Sequence, residues 1–288
     1  MLNFTRYIFD TFNKVYNLNE SCYDISYNKN GNSIININDN GITYFDNNKK
    51  KLDYSTIIWK EWKNTKIPFL FATMDNDIYS NIDGKWTINF DIIASSFYLL
   101  SGWQEYESEI KDQIGRYPYE ESIQKKLDIV EIPIVNYYFD ILKTVIEKAY
   151  SVSLTTMSWQ NHEFATCITH DIDKCNSAWI EGSFSELKKG RILSAVKLLF
   201  KKIFNKDEWF NFEKIIELEK GFYASSSFYF LPRNQKRNNL VNADYDVRSE
   251  KIIKEIERIV EYGSEIGIHG SSGTYDNVDY FKDDLKNL

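Results

Sequence analysis

From Glu163 onward the chain alternates short apolar runs with amphipathic segments, and this alternation constrains its fold more than any other feature. The runs Phe164–Thr169, Ser226–Leu231 and Glu265–His269 read as strands. Helical periodicity falls between and around them, at roughly Ile192–Phe204, Trp209–Lys220 and Val247–Tyr262. Strands separated by helices predict parallel neighbours joined by right-handed crossovers, so that all three carboxyl ends share one rim. Ligands of open α/β sheets bind outside that rim.

The rim then carries Asp171 and Asp173, next Pro232-Arg233-Asn234, and last His269-Gly270-Ser271-Ser272. In extended geometry Asp171 and Asp173 project from one face, with His170 and Ile172 on the other. Two carboxylates about 5 to 6 Å apart repel by roughly 3 kcal/mol at an effective dielectric near 20, so a cation, a shared proton or water must compensate. Neutral imidazole and carboxylate are ordinary ligands of Zn²⁺ and related divalent ions, so pairing this strand end with His269 favours a metal site. His170 is assigned to packing, or to orienting a ligand from behind. Cys167, inside the apolar run, is expected to pack as a small hydrophobe. Cys175 is a weaker ligand candidate, and His162 has no evident partner.

The first half reads as an α+β unit. An amphipathic helix runs through Phe4, Ile8, Phe9, Phe12 and Tyr16. Strands are predicted at Ile34–Ile37, Ile42–Phe45, Thr56–Trp59, Pro68–Ala72 and Trp86–Phe90, and Asn40-Gly41 could close a hairpin. Asp91 caps a helix to about Glu107, and a second helix covers Val135–Tyr150. Polar residues 151–161 suggest a linker, giving an N-terminal α+β domain over 1–155 and an α/β domain over 156–288.

A net charge of −7 argues against general nucleic-acid binding, which depends on Lys and Arg neutralising phosphates. Cys22, Cys167 and Cys175 are odd in number and form no CxxC pair, which suits a reducing compartment. Arg6, Asp10 and Lys14 interrupt the apolar residues at the N-terminus, unlike a signal peptide, and no run is long and apolar enough to cross a bilayer. The chain is therefore expected in the cytoplasm. Leu187–Lys206 is basic and amphipathic, and is expected to pack on the α/β domain with its charges in water. Contact with an anionic membrane is the alternative.

These motifs together resemble a known family. Ile168–Asp173 is similar to the first motif of the polysaccharide deacetylases of the NodB type, in the variant Thr-His-Asp-x-Asp. Glu265–Tyr275 (EIGIHGSSGTY) resembles their histidine-bearing motif. Ser226–Phe230, and the run NADYDV at Asn242–Val247, also fit the pattern. FYLLSGWQEY at Phe97–Tyr106, Gly115–Pro118 and Pro133–Asn136 resemble the uncharacterised domain that precedes such deacetylases in bacterial surface-polysaccharide proteins. The resemblance implies a partial, distorted (β/α) barrel and a metal-dependent hydrolase that removes acetyl groups from an acetylated sugar. It assigns Asp171 as general base, and Asp173 and His269 as ligands of a divalent metal, most naturally Zn²⁺. Ser271 and Tyr275 become candidates for contacting substrate or the oxyanion.

The sequence departs from that pattern in two places. Gly273 stands where the family has a second histidine, and Ile172 separates carboxylates that are usually adjacent. The family's later motifs, including its general acid, are not found before Leu288, so the deacetylase-like domain is expected to be incomplete. Phosphatases of the haloacid type and nucleotide-sugar glycosyltransferases also pair aspartates at a strand end. The former pattern wants Thr or Val where Cys175 stands, and the latter a Gly-rich phosphate loop that the first half lacks. A catalytically inactive, deacetylase-like protein that binds carbohydrate or a partner is the remaining alternative.

Overall fold

The computed structural model describes residues 4–16, 18, 23–46, 51–113, 115–160, 162–204, 207–237, 242–275 and 277–287, with the side chains of 199 and 201–204 excepted. Cys22 and Lys206 lie outside the described residues, as do the side chains of Lys201, Lys202, Ile203 and Phe204. The chain is mixed α/β and divides into two compact units, Met1–Phe164 and Ala165–Leu288. The division falls after residues 151–161 because that stretch is fastened to the first unit. Leu154 N–H donates to Glu147 at 2.8 Å, and Met157 N–H to the Val15 carbonyl at 2.8 Å.

In the first unit, helix α1 (Phe4–Tyr16) buries Phe4, Ile8, Phe12 and Tyr16, one stripe at every fourth residue. A sheet of four short strands has the order β1 (Ile25–Ser26), β2 (Ile35–Ile37), β6 (Lys85–Ile88), β5 (Tyr79–Ile82). β1, β2 and β6 are parallel, and β5 pairs antiparallel with β6. A separate antiparallel hairpin joins β3 (Ile58–Trp62) to β4 (Thr65–Phe69). Helix α2 (Ile92–Leu100) is buried along almost its whole length, and the Asp91 carboxylate caps it by accepting from Ala94 N–H at 2.8 Å. Gly102 takes a left-handed conformation (φ 66°), which ends that helix and starts α3 (Trp103–Glu107), where one continuous helix was expected. The turn returns Glu107 to accept from the Tyr98 and Tyr44 hydroxyls at 2.8 and 2.6 Å. Short α4 (Ile123–Lys126) and long α5 (Ile134–Tyr150) complete the unit.

The predicted strand Ile42–Phe45 is a series of turns instead. Gly41 is held there by close packing. Its N–H donates to Asp91 at 2.7 Å, and a Cβ on it would stand 2.6 Å from that of Ala94. Asn40-Gly41 therefore serves the contact with α2 and closes no hairpin.

The second unit is a three-stranded parallel sheet in the order β7 (Ile168–Ile172), β8 (Ser226–Phe230), β9 (Glu265–Ile268). Helices α6 (Ala178–Lys188), α7 (Ile192–Phe204) and α8 (Phe212–Gly221) lie between β7 and β8 in the chain. α9 (Glu250–Tyr262) lies between β8 and β9, and α10 (Val278–Asn287) follows. Phe228 and Phe230 of β8 pack with Phe212 and Ile216 of α8, Ile252 and Ile259 of α9, and Ile172. That cluster is the unit's core and covers one face of the sheet. No closed barrel forms among the described residues.

β7 begins at Ile168, four residues later than the apolar run suggested. Phe164 is 75% exposed, and Cys167, expected in the core, is exposed as well. Hydrogen bonding to β8 starts only at the Ile168–Ser226 pair, so the preceding apolar residues have no sheet to join. The same shift places Asp171 inside the strand. Leu193, Val196 and Phe200, expected to pack inward, are also exposed. Among the described residues no helix is long and apolar enough to cross a membrane.

Candidate functional site

The parallel register places Asp171, Tyr229 and Gly267 in one cross-strand row, on the sheet face opposite Phe228 and Phe230. One step beyond the strand ends, Asp173 and His269 project from that same face. His269 N–H donates to the Phe230 carbonyl at 2.8 Å and so continues the β8 to β9 pairing to the histidine itself. Gly267 gives the row its shape. A Cβ there would stand 2.5 Å from the Tyr229 ring, so glycine lets that ring lie over β9.

The structure brings together the three residues the topology predicted. His269 Nε2 stands 3.7 Å from Asp171 Oδ2 and 3.7 Å from Asp173 Oδ1. Both carboxylates are about three-fifths exposed (61% and 62%) and the imidazole one-third (33%), so the group opens to solvent. His269 Nδ1 lies 3.1 Å from the Gly270 carbonyl, which can only accept, so the hydrogen bond puts a proton on Nδ1. Nε2 then aims at two anionic oxygens, a gap that a cation or a water molecule can fill. Imidazole with two carboxylate oxygens is a donor set that Zn²⁺ and similar ions accept. At 3.7 Å the pairs are looser than ligands closed on an ion. Among the described residues no three His, Cys, Asp or Glu are drawn together as a formed metal-binding group. The carboxylates are exposed enough to rotate inward, and no other ion pair engages either of them among the described residues.

His170 lies on the opposite face. Its Nε2 is 2.6 Å from Glu219 Oε1, and its ring packs 4.6 Å from that of Phe228. Glu219 also accepts from the Ser226 hydroxyl at 2.9 Å, so the pair ties β7 and β8 to α8. Among the described residues no hydrogen bond joins Ser271 or Tyr275 to the carboxylates. Ser271 is buried with its N–H on Asp284 at 3.0 Å, and the Tyr275 side chain is 91% exposed. Ser272 N–H donates to Asn242 and Thr274 N–H to the Ser271 carbonyl. These backbone donors are committed within the protein. Cys175 is buried, and burial, with the charge of Asp244 beside it, pushes its thiol up to about 12.

Sequence reasoning missed the residues that hold the two motif loops. Asp244 accepts from Cys175 N–H at 2.6 Å and Asn176 N–H at 2.9 Å, fastening the loop that follows the acidic pair. Asn242 Oδ1 accepts from Ser272 N–H at 3.0 Å and fastens the loop after His269. The Tyr245 hydroxyl donates to the Ile172 carbonyl at 2.5 Å and accepts from Leu231 N–H at 2.9 Å, joining two strand ends. Burial and neighbouring charge raise its pKa, so the hydroxyl keeps its proton. Asp284 of α10 is fully buried between Arg233 and Arg237, and its carboxylate carries Ser271 N–H. Burial pushes that carboxyl up, but hydrogen bonds from Ser271 and the two guanidiniums outweigh it and hold it below the usual range. The signal for Asn242, Asp244 and Tyr245 was the run NADYDV at Asn242–Val247, which lies between β8 and α9 in the chain.

The chain is thus a two-unit mixed α/β protein with a histidine and two carboxylates at the rim of a parallel sheet. It belongs to a family of unknown function (DUF7033), whose model matches residues 2–151. No curated protein and no solved structure matches the chain.

Proposed function

We propose that the chain is a metal-dependent deacetylase acting in the cytoplasm on an acetylated sugar or polysaccharide precursor, with a second unit built on a partial, distorted (β/α) barrel. The convergence of His269 Nε2 on Asp171 and Asp173, each at 3.7 Å, carries this reading, together with the resemblance of both motifs to the NodB-type family. Asp173 and His269 would hold a divalent cation, most naturally Zn²⁺. When bound, such an ion supplies Lewis acidity that acidifies water and polarises an acyl oxygen.

The chain's own residues do the rest. Asp171 accepts the proton of the attacking water, a contribution typically worth about 10² to 10⁴-fold. The Gly270 carbonyl fixes the imidazole so that Nε2 faces the carboxylates. Tyr229, in the row beside Asp171, offers an aromatic face on which a sugar ring can lie.

Acetate release from N- and O-acetylated oligosaccharides, measured with added zinc, tests the assignment. Asp171→Asn is expected to keep the metal and lose about 100-fold or more in rate. Asp173→Ala and His269→Ala are expected to lose metal and activity together. A second reading, a deacetylase-like protein that binds carbohydrate without hydrolysing it, is favoured by Gly273 at the position of the family's second histidine. It wins if the zinc-loaded wild-type chain binds such oligosaccharides and releases no acetate.

A further inference from the structure

Helices α6 and α7 form an antiparallel hairpin whose principal contact is with each other. Small residues make the seam. Leu198 packs onto Gly182, and the Ser183 hydroxyl donates to the Ala195 carbonyl at 3.4 Å, with Ser183 and Ala195 both buried. The large apolar residues are left outside. On α6, Ile180, Phe184 and Leu187 are exposed, and on α7 so are Ile192, Leu193, Val196 and Phe200, with Leu193 reaching 87%. Each set recurs at three- and four-residue spacing, so each is a single stripe along its helix. By helical phase, measured from the Gly182–Leu198 and Ser183–Ala195 seam, both stripes turn to the same side of the antiparallel pair. Exposed apolar surface of this extent, unrelieved by polar residues within the stripe, marks an interaction surface.

The charge around it says what the surface meets. Ala178–Lys206 contains seven Lys and Arg against two acidic residues, Glu181 and Glu186, a net charge of +5 in a chain whose net charge is −7, so the remainder carries −12; Glu186 pairs with Lys189 and Arg191. A basic, apolar-faced hairpin on an otherwise acidic protein matches an anionic bilayer. Such a surface draws Lys and Arg to its headgroups while apolar side chains enter the acyl boundary. We propose that the α6–α7 hairpin is a docking surface for an anionic phospholipid membrane. It uses neither β7 nor β9 and does not depend on the hydrolase assignment.

Co-sedimentation of the full chain with phosphatidylglycerol-containing vesicles, against pure phosphatidylcholine vesicles and at low and high salt, tests this. Binding is expected to the anionic vesicles alone and to fall steeply with salt. Leu193→Asp, at a position already in solvent, is expected to abolish binding with an unchanged circular dichroism spectrum. Reversing Lys188 and Lys197 to Glu is expected to weaken partitioning by roughly tenfold or more. Absence of sedimentation with anionic vesicles at low salt overturns the proposal. So does binding that Leu193→Asp leaves intact. Concentration-dependent self-association that Leu193→Asp dissolves, without lipid binding, would assign the face to a second copy of the chain and overturn it as well.

Discussion

Gly267 shows how one missing Cβ shapes a site. Tyr229 occupies the space a side chain there would fill, with ring atoms 2.5 Å from the ideal Cβ position. Gly267→Ala is expected to push that ring off the face beside Asp171 and to cost about 1 to 3 kcal/mol, as overpacking does. Denaturant melts check this, and the same change in a Tyr229→Ala background should cost far less. Asp91 makes a second claim at the same scale. Burial pushes its carboxyl up to about 7, against the N–H groups of Ala94 and Gly41 and the Tyr27 hydroxyl, which pull it down. In the unfolded chain an aspartate titrates near 3.9, so the folded state holds this proton more tightly. The resulting stabilisation is complete below about pH 4 and is lost as pH rises through about 7. Asp91→Asn should flatten that part of the profile relative to wild type, whatever it does to stability overall. Unfolding free energies across the range decide, and parallel profiles for the two proteins would refute the assignment.

At the scale of elements, the parallel order of β7, β8 and β9 followed from the alternation of apolar runs with helical periodicity, and so did the meeting of His269 with an acidic pair 96 to 98 residues earlier. Turn chemistry was read less well. Asn40-Gly41 has the composition of a hairpin turn and is packed under α2 instead. The hairpin in the main sheet turns at Asp83-Gly84, both at positive φ, and the other at Lys63-Asn64, where non-glycine residues adopt φ of 47° and 65°. Local composition cannot separate a glycine needed for its φ from one needed for close approach. Of the α6–α7 hairpin only α7 was legible, as a basic amphipathic segment, and its apolar stripe, expected to pack inward, faces outward instead.

Asp244 belongs to this scale too, since it lies beyond β8 and fastens the loop that follows β7. Asp244→Ala frees two N–H groups there and should loosen Asp173 without unfolding the sheet. Metal affinity is expected to fall by about 10 to 100-fold, the usual cost of losing a partner that orients a ligand from behind. Calorimetric titration with zinc measures that, and faster hydrogen exchange at Cys175 and Asn176 would show the cause to be the released loop.

Over the whole molecule, each unit has its own hydrophobic core. Phe12, Phe69, Phe90 and Tyr138 are among the buried residues of the first, and Phe212, Phe228 and Phe230 among those of the second. The family match falls in the first unit, whereas His269 and the two aspartates lie wholly in the second. The functional claim therefore stands on the chemistry of three side chains and on the loops that hold them. Metal stoichiometry tests it most directly. Elemental analysis of the purified chain after equilibration with zinc and removal of free ion should find one equivalent in the wild type and a small fraction of that in His269→Ala and Asp173→Ala. Equal metal in all three proteins, or none in the wild type, would contradict it.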